Sequence, residues 1–428
     1  MDRSTNRTFF QRLTAIGPAI ITASVVLGPG SILLNSKIGA EFGYGFIWLL
    51  AITIVLMIGM TALSARLGVA LDKTICEEVA ARNSRPVAIT IGVILFVVTG
   101  SFQCSNNLGV LFGLQPFVEG DSPAIQLPSW WPVGLLVLVN GIVICALLFF
   151  RDLYRSVERL MKFLVGVMML GFAANLLLAR PSFNSIANGL VPGLPSNFTD
   201  SSIVPVTGLM ATTFSIAAAF YQAYLVRQKG WNRDDLGKGL TDTIVGIGML
   251  GVMSLMVMLT AASVLHGSSD QEWKSAADVA MQLRPLFGPF ATILFCAGIF
   301  AGAFSSFLVN AMIGGTVMAD AIGKGADING SWTRGLTIVL LLFGMSLAIG
   351  VRTAELDIGR LIMFAQAVTV LGNPFLAGTM LYLAYTPSVR EQRIIPSWVR
   401  GLGWVGFVVV LLLSVRTIYG LYIKLTAS

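Results

Sequence analysis

The chain has 428 residues, and its composition excludes a soluble protein of this size. Charged side chains make up 11% of the residues, against about 25% in soluble domains, while 55% of the residues are hydrophobic. The apolar residues occur in runs of about 18 or more, which is the length of a membrane-spanning helix. We therefore expect an all-α integral membrane protein in contact with the lipid bilayer.

Eleven apolar runs are long enough to cross a hydrocarbon core of about 30 Å. They predict transmembrane helices over 14–36, 46–70, 87–113, 132–150, 160–179, 203–226, 240–265, 287–318, 333–350, 358–383 and 400–423. Residues 1–13 are expected to form a cytoplasmic tail, and residues 14–383 a ten-helix core with halves at about 14–179 and 203–383. Residues 384–428 add a loop and the eleventh helix.

The basic residues are distributed unevenly between the loops. If the N-terminus is cytoplasmic, most of the 28 Lys and Arg residues fall in the N-terminal tail and the even-numbered loops. This distribution follows the positive-inside rule and predicts a plasma (inner) membrane protein with its N-terminus inside and its C-terminus outside. The net charge of +7 therefore reflects topology and does not indicate a nucleic-acid partner.

The sequence lacks the patterns of catalytic and cofactor sites. The four cysteines are scattered without a Cys-x-x-Cys pair, and His266 is the single histidine, so a multi-histidine metal site is excluded. No phosphate-binding loop or dinucleotide fingerprint occurs. We expect neither enzymatic activity nor a cofactor.

The first apolar run contains a signal for a helix break at Gly28, Pro29, Gly30 and Ser31. Proline removes a backbone donor, and the glycines allow the chain to unwind. We expect two half-helices, so that free N–H groups of the second face the carbonyls of the first across a gap. Such a gap can bind a substrate. The alternative is a proline-kinked helix that serves packing.

The sixth apolar run occupies the corresponding place in the second half, where Ala219, Tyr221 and Gln222 follow Ser215. No proline or glycine forces unwinding there. The small residues permit close helix approach, and the polar side chains lie at membrane depth. We therefore include these three residues among the candidates for the substrate site.

Polar residues elsewhere in the apolar runs give further candidates. Asn106 and Asn107 in the third run and Gln366 in the tenth can bind a substrate or join neighbouring helices. Asp242 and Asp320 lie near helix ends, where we expect them to reach water or a lysine. The middle of each apolar run lacks a carboxylate, so no proton relay is visible.

Several motifs resemble those of the Nramp divalent-metal transporters. The matches are Phe42-Gly43-Tyr44 and residues 63–70 around the second helix, Ser305-Ser306, Gly314 and Val317-Met318 in the eighth, and Gln366, Gly372 and Pro374-Phe375 in the tenth. The resemblance covers residues 8 to 425. It implies a LeuT-type fold of two inverted five-helix repeats, with discontinuous first and sixth helices and an added eleventh helix, and a transporter that works by alternating access.

The metal-binding motifs of that family are missing from this sequence. Metal-transporting members read Asp-Pro-Gly-Asn where this chain has residues 28–31. With Tyr224 and Leu225 as an anchor, the family's Met-Pro-His falls on residues 219–221, and its acidic positions associated with proton movement fall on Val97 and Gly100. The resemblance therefore implies a divergent member outside the proton-coupled transition-metal group.

Three functions remain open. The first is transport of a divalent cation such as hydrated Mg²⁺, held through its waters by Ser31, Tyr221, Gln366 and backbone carbonyls. The second is transport of a small anionic or zwitterionic solute by a half-helix N-terminus. The third is a non-transporting sensor, which the short loops disfavour. The resemblance favours the first, and we expect a monomer.

Overall fold

A computed structural model of the chain describes residues 17–118, 128, 130–150, 152–199, 202–267, 276–354 and 358–426. Helices make up the regular structure of these ranges, with one 3₁₀ turn at Arg233–Asp235. The α-helices are α1 Pro18–Val26, α2 Pro29–Phe42, α3 Ile47–Ala70, α4 Ile75–Arg82, α5 Arg85–Val118, α6 Trp131–Phe149, α7 Leu153–Ala179, α8 Phe183–Gly189, α9 Ile203–Thr213, α10 Ile216–Gln228, α11 Leu236–Val264, α12 Ala276–Ala321, α13 Ser331–Thr353, α14 Ile358–Ala384, α15 Pro387–Arg390 and α16 Ser397–Thr426.

The expected number of membrane spans is confirmed. The described residues form 10 helices that are long and apolar enough to cross a membrane, and the bent pair α1 and α2 brings the number to 11. The first span continues to Phe42, beyond the predicted end at residue 36. Within α2, the Nδ2 atom of Asn35 donates to the Ser31 carbonyl at 2.8 Å.

Small residues bring the first span close to its neighbours. Helices α1 and α2 pack against both α11 and α12. A Cβ atom on Gly246 of α11 would lie 2.9 Å from backbone atoms of Ala19, and one on Gly302 of α12 would lie 2.5 Å from the Leu27 carbonyl oxygen. Glycine at these positions therefore permits direct backbone packing around the first span.

Asp242 in α11 binds the beginning of α1, which corrects our expectation that it reaches water or a lysine. Its side chain is 4% exposed, and its carboxylate accepts hydrogen bonds from the N–H groups of Gly17 at 2.5 Å and Ala19 at 2.9 Å. The N–H groups at the start of a helix have no partner within that helix, and the helix dipole favours a negative charge there. Asp242 thus caps α1 from a distant part of the chain.

Replacing this cap is expected to destabilise the protein. Asp242→Asn keeps the side-chain shape but removes the charge and one of two acceptors, so one buried N–H is left without a partner. We expect a loss of about 1–3 kcal/mol, measured as a lower midpoint of thermal unfolding in detergent. Asp234→Asn in the exposed 3₁₀ turn is the matched control, with an expected change within about 0.5 kcal/mol. Equal shifts in both variants would contradict a capping role for Asp242.

Candidate functional site

The first span is broken between α1 and α2, as predicted. The two helix axes differ by 59°. Gly28 precedes Pro29 in extended conformation, with φ −86° and ψ −179°, and no side chain caps the N-terminus of α2. The N–H groups of Gly30 and Ser31 therefore have no acceptor within their helix.

Helix α12 satisfies carbonyl groups at the end of α1. The hydroxyl of Ser306 donates to the Val25 carbonyl at 2.7 Å, and that of Ser305 donates to the Ser24 carbonyl at 2.9 Å. These carbonyls belong to the last turn of α1, where helical acceptors have no intrahelical donor. The negative end of α1 is thereby compensated, while the positive end of α2 has no side-chain cap.

A cavity of about 40 Å³ lies beside the break. Its walls come from the first, third, sixth, eighth and tenth spans. The residues that line it are Val25, Val26, Gly28, Gly30, Ser31, Phe102, Ser105, Asn106, Ala211, Thr212, Ser215, Asn310 and Thr369. The polar ones carry neutral hydroxyl and amide groups, and this lining contains no carboxylate, imidazole or sulfur.

Four of the predicted site residues meet at this cavity, namely Gly28, Gly30, Ser31 and Asn106. Asn106 is 2% exposed, and its amide nitrogen has no hydrogen-bond partner. A buried polar group without a partner costs free energy unless a ligand or water satisfies it. Asn106 is therefore available to a substrate in the cavity.

Pro29 and Asn107 lie near the cavity but do not line it. A Cβ atom on Gly109 of α5 would lie 2.0 Å from the Cγ atom of Pro29, so Pro29 packs directly on that helix. Asn107 accepts a hydrogen bond from the Nδ2 atom of Asn140 at 2.7 Å and donates to the Gln103 carbonyl at 2.8 Å. Asn107 thus joins α5 to α6, which is the structural role considered for these amides.

Comparison with known proteins decides the family. Residues 19–420 match the family model described as natural resistance-associated macrophage protein-like, or Nramp. The chain belongs to the Nramp family. It is 24% identical to the Divalent metal cation transporter MntH of Deinococcus radiodurans, over 94% of this chain and 88% of that protein.

Solved structures confirm the LeuT-type fold of this Nramp protein. The Eremococcus coleocola manganese transporter superposes with a TM-score of 0.79 at 17% identity, covering 98% of this chain and 89% of that one. A Na⁺-coupled sialic acid symporter superposes with a TM-score of 0.60 at 14% identity, covering 92% and 88%. The division into two inverted repeats stays a prediction.

The sixth span of this Nramp protein is also interrupted, as predicted. Helix α9 ends at Thr213 and α10 begins at Ile216, so the break lies at Phe214 and Ser215. The hydroxyl oxygen of Ser215 accepts a hydrogen bond from the Ala218 N–H at 3.3 Å and caps α10. This second break faces the same cavity, because Ser215 lines it.

Ala219, Tyr221 and Gln222 lie inside α10 and do not line the cavity. The Oε1 atom of Gln222 accepts a hydrogen bond from Thr22 at 2.5 Å, and the Tyr221 hydroxyl lies 3.4 Å from that of Thr316. All three side chains are fully buried. Their participation in a substrate site stays a prediction.

The alignment of the sixth span does not coincide with the observed break. Anchored on Tyr224 and Leu225, the family's Met-Pro-His falls on residues 219–221, which are regular helix, whereas the break lies earlier, at residues 214–215. Residues 214–216 are therefore a better structural match to a motif at a helix break. Gln366 belongs to α14, but its side chain lies outside the described part of the structure.

Several lining residues were missed as site candidates, although the spacing of one of them carries a signal. Asn310 follows Ser306 by one helical turn in α12, and Thr212 precedes Ser215 by three residues. Residues three or four apart share a helix face, so extending the motif residue Ser306 by one turn along α12 would have found Asn310. Thr212 lies at the end of its own helix, just before the break, and has no such signal.

Asp320 in α12 forms a second buried cluster, which again corrects our expectation of contact with water or a lysine. The carboxylate is 0% exposed and accepts hydrogen bonds from the hydroxyls of Thr74 and Tyr224, both at 2.7 Å. It also accepts from the Cys76 N–H at 3.3 Å. Burial, together with the nearby Asp320, raises the pKa of the Cys76 thiol, so Cys76 stays protonated. Asp320 thus joins α4, α10 and α12.

Proposed function

We propose that this Nramp protein transports a divalent cation that keeps much of its water shell, with Mg²⁺ as the substrate, by alternating access. The lining of the cavity at the two helix breaks carries the proposal, because its polar groups are neutral hydroxyls and amides. Relatives with similar sequence and fold are named as divalent metal cation and manganese transporters. We further propose a plasma-membrane protein whose N-terminus is cytoplasmic and whose C-terminus lies outside.

Ligand chemistry separates the candidate cations. Mn²⁺ and Fe²⁺ gain from imidazole, carboxylate or thioether ligands, and the described residues contain no group of three His, Cys, Asp or Glu side chains able to hold a metal. Mg²⁺ loses water reluctantly and is often bound through its own waters. Those waters can donate hydrogen bonds to the oxygens of Ser31, Asn310 and Thr369, so the ion needs no direct carboxylate ligand.

The cavity must widen to admit such an ion. One water needs about 10–15 Å³ of such space, so the cavity of about 40 Å³ in this conformation holds about three waters, fewer than the about six that surround a hydrated Mg²⁺ ion. The two breaks provide places where the walls can move, because α1 and α9 can shift relative to α2 and α10. This motion is what alternating access requires.

A small anionic or zwitterionic solute is the second candidate substrate. The uncapped N-terminus of α2 faces the cavity, and Ser305 and Ser306 occupy carbonyls at the end of α1. The partial positive charge at the N-terminus of α2 is therefore not offset by free carbonyl groups of α1. This charge favours binding of an anion.

Flux into proteoliposomes tests the proposal. Vesicles loaded with metal-sensitive dyes are expected to show saturable Mg²⁺ entry, little Mn²⁺ entry and no accompanying acidification, compared with protein-free vesicles. The neutral oxygen lining is the physical reason, because it suits a hydrated ion and offers Mn²⁺ no preferred ligand. If the folded protein admits neither ion, the cation proposal is rejected, and uptake of a small carboxylate becomes the next assay.

A further inference from the structure

A second cavity, of about 460 Å³, lies at the segment between α14 and α16. Three arginines line it, Arg390, Arg393 and Arg400, together with Ser397 in the first turn of α16. The cavity combines three positive charges with the N-terminus of a long helix, whose first N–H groups have no intrahelical acceptor.

The three guanidinium groups have no protein partner among the described residues, either as hydrogen-bond donors or in ion pairs. Arginines of neighbouring segments behave differently. Arg66 donates to the Ile394 carbonyl at 3.1 Å, and Arg227 donates to the Leu71 carbonyl at 2.6 Å. The arginines of the cavity are therefore free to bind a ligand.

The cavity lies at the edge of the membrane-spanning region. Only 22% of the apolar segment of α16 is buried within the protein, so this helix faces lipid. Trp398 and Trp404 are 44% and 46% exposed near its beginning, and such tryptophans mark the level of the lipid headgroups.

The same segment packs against other basic loops, which places it on the face proposed to be cytoplasmic. Gln392 donates from Nε2 to the Ala70 carbonyl at 3.0 Å, and Arg82 donates to the Ser388 hydroxyl at 2.6 Å. The leaflet on that face carries the anionic lipids of a cell membrane.

We propose that this cavity binds the phosphate headgroup of an anionic phospholipid. Arginine guanidinium groups match phosphate oxygens in charge and in paired hydrogen-bond geometry. Three arginines surround this cavity at the level of the lipid headgroups, and they have no partner within the described protein. Together they form a site for the phosphodiester of a lipid. The acyl chains would lie along the exposed surface of α16. The site is independent of the transported substrate.

Binding of short-chain phosphatidylglycerol to the delipidated full-length protein tests the proposal, with phosphatidylcholine of equal chain length as the charge control. Native mass spectrometry measures the dissociation constants. The variant Arg390→Gln/Arg393→Gln/Arg400→Gln is expected to bind phosphatidylglycerol at least about tenfold more weakly. The matched control Arg155→Gln/Arg159→Gln/Arg352→Gln has the same change in charge away from the cavity, and its affinity is expected to change less than about threefold.

Three outcomes would overturn the site. Equal losses in both triple variants would show general attraction by charge, and equal binding of phosphatidylcholine would remove the role of the anionic headgroup. Inorganic phosphate that binds alone as tightly and displaces phosphatidylglycerol would identify a free-anion site instead.

If the first triple variant does not fold, Arg393→Gln and Arg400→Gln are measured singly, each with an expected loss of about threefold. Unchanged affinity in both would reject the proposal.

Discussion

Ser31→Asp is expected to convert the cavity into a stronger Mn²⁺ site. Ser31 lies in the first turn of α2 and lines the cavity, so the helix dipole stabilises a carboxylate there. Unit charges about 4 Å apart attract by about 4 kcal/mol at an effective dielectric constant of about 20. Since about 1.4 kcal/mol changes affinity tenfold, we expect Mn²⁺ to bind at least about tenfold more tightly in calorimetric titration.

The matched variant Ser31→Asn separates charge from side-chain size. It adds a side chain of nearly the same shape without the charge, and no comparable gain in Mn²⁺ affinity is expected. If Ser31→Asp folds and gains no Mn²⁺ affinity, the cavity at the break is not a cation site. If it instead abolishes uptake of a small carboxylate, the second candidate substrate is supported.

Gly109→Ala is expected to reduce transport by at least about tenfold and to destabilise the protein by about 1–3 kcal/mol, as overpacking does. The added methyl group would lie 2.0 Å from Cγ of Pro29 and 2.9 Å from Cβ of Ala303. The proline ring cannot rotate away, so α2 must move and the break must change shape. Flux into proteoliposomes and thermal unfolding measure the two effects.

Gly141→Ala is the control for this substitution. It adds the same methyl group to α6, where nothing lies within 4 Å, so flux and stability are expected to stay close to those of the unsubstituted protein. Flux that Gly109→Ala leaves unchanged would show that the close approach of α5 to Pro29 does not shape the transport site.

The two helix breaks differ in how well a sequence can reveal them. Pro29 indicates the first break, because proline has no backbone N–H to donate and the neighbouring glycines allow the helix to unwind. The second, at Phe214 and Ser215, contains neither residue type. Its one local signal is Ser215, a favourable N-cap residue ahead of an alanine-rich helix. An alignment anchored inside α10 therefore located the motif too late in the chain.

The cavity lining and the buried carboxylates depend on three-dimensional neighbours. Hydropathy predicted the number of spans correctly, but the rotation of each helix decides which side chains meet, and no single run contains that information. Asp242 looked like a residue at a solvated helix end. Its partner is the N–H of Gly17, 225 residues away, and only the packing of α11 against α1 reveals it.

The distribution of thiols makes this chain a convenient subject for spectroscopy. Cys76, Cys104 and Cys296 are buried, whereas Cys145 is exposed on the lipid-facing surface of α6. Burial shields a thiol from reagents and keeps it protonated. Cys145 lies four residues before the end of α6 at Phe149, so a maleimide that reaches it from the membrane surface should react there in preference to the three buried thiols. Distances from that probe could follow the moving helices without removal of any native cysteine.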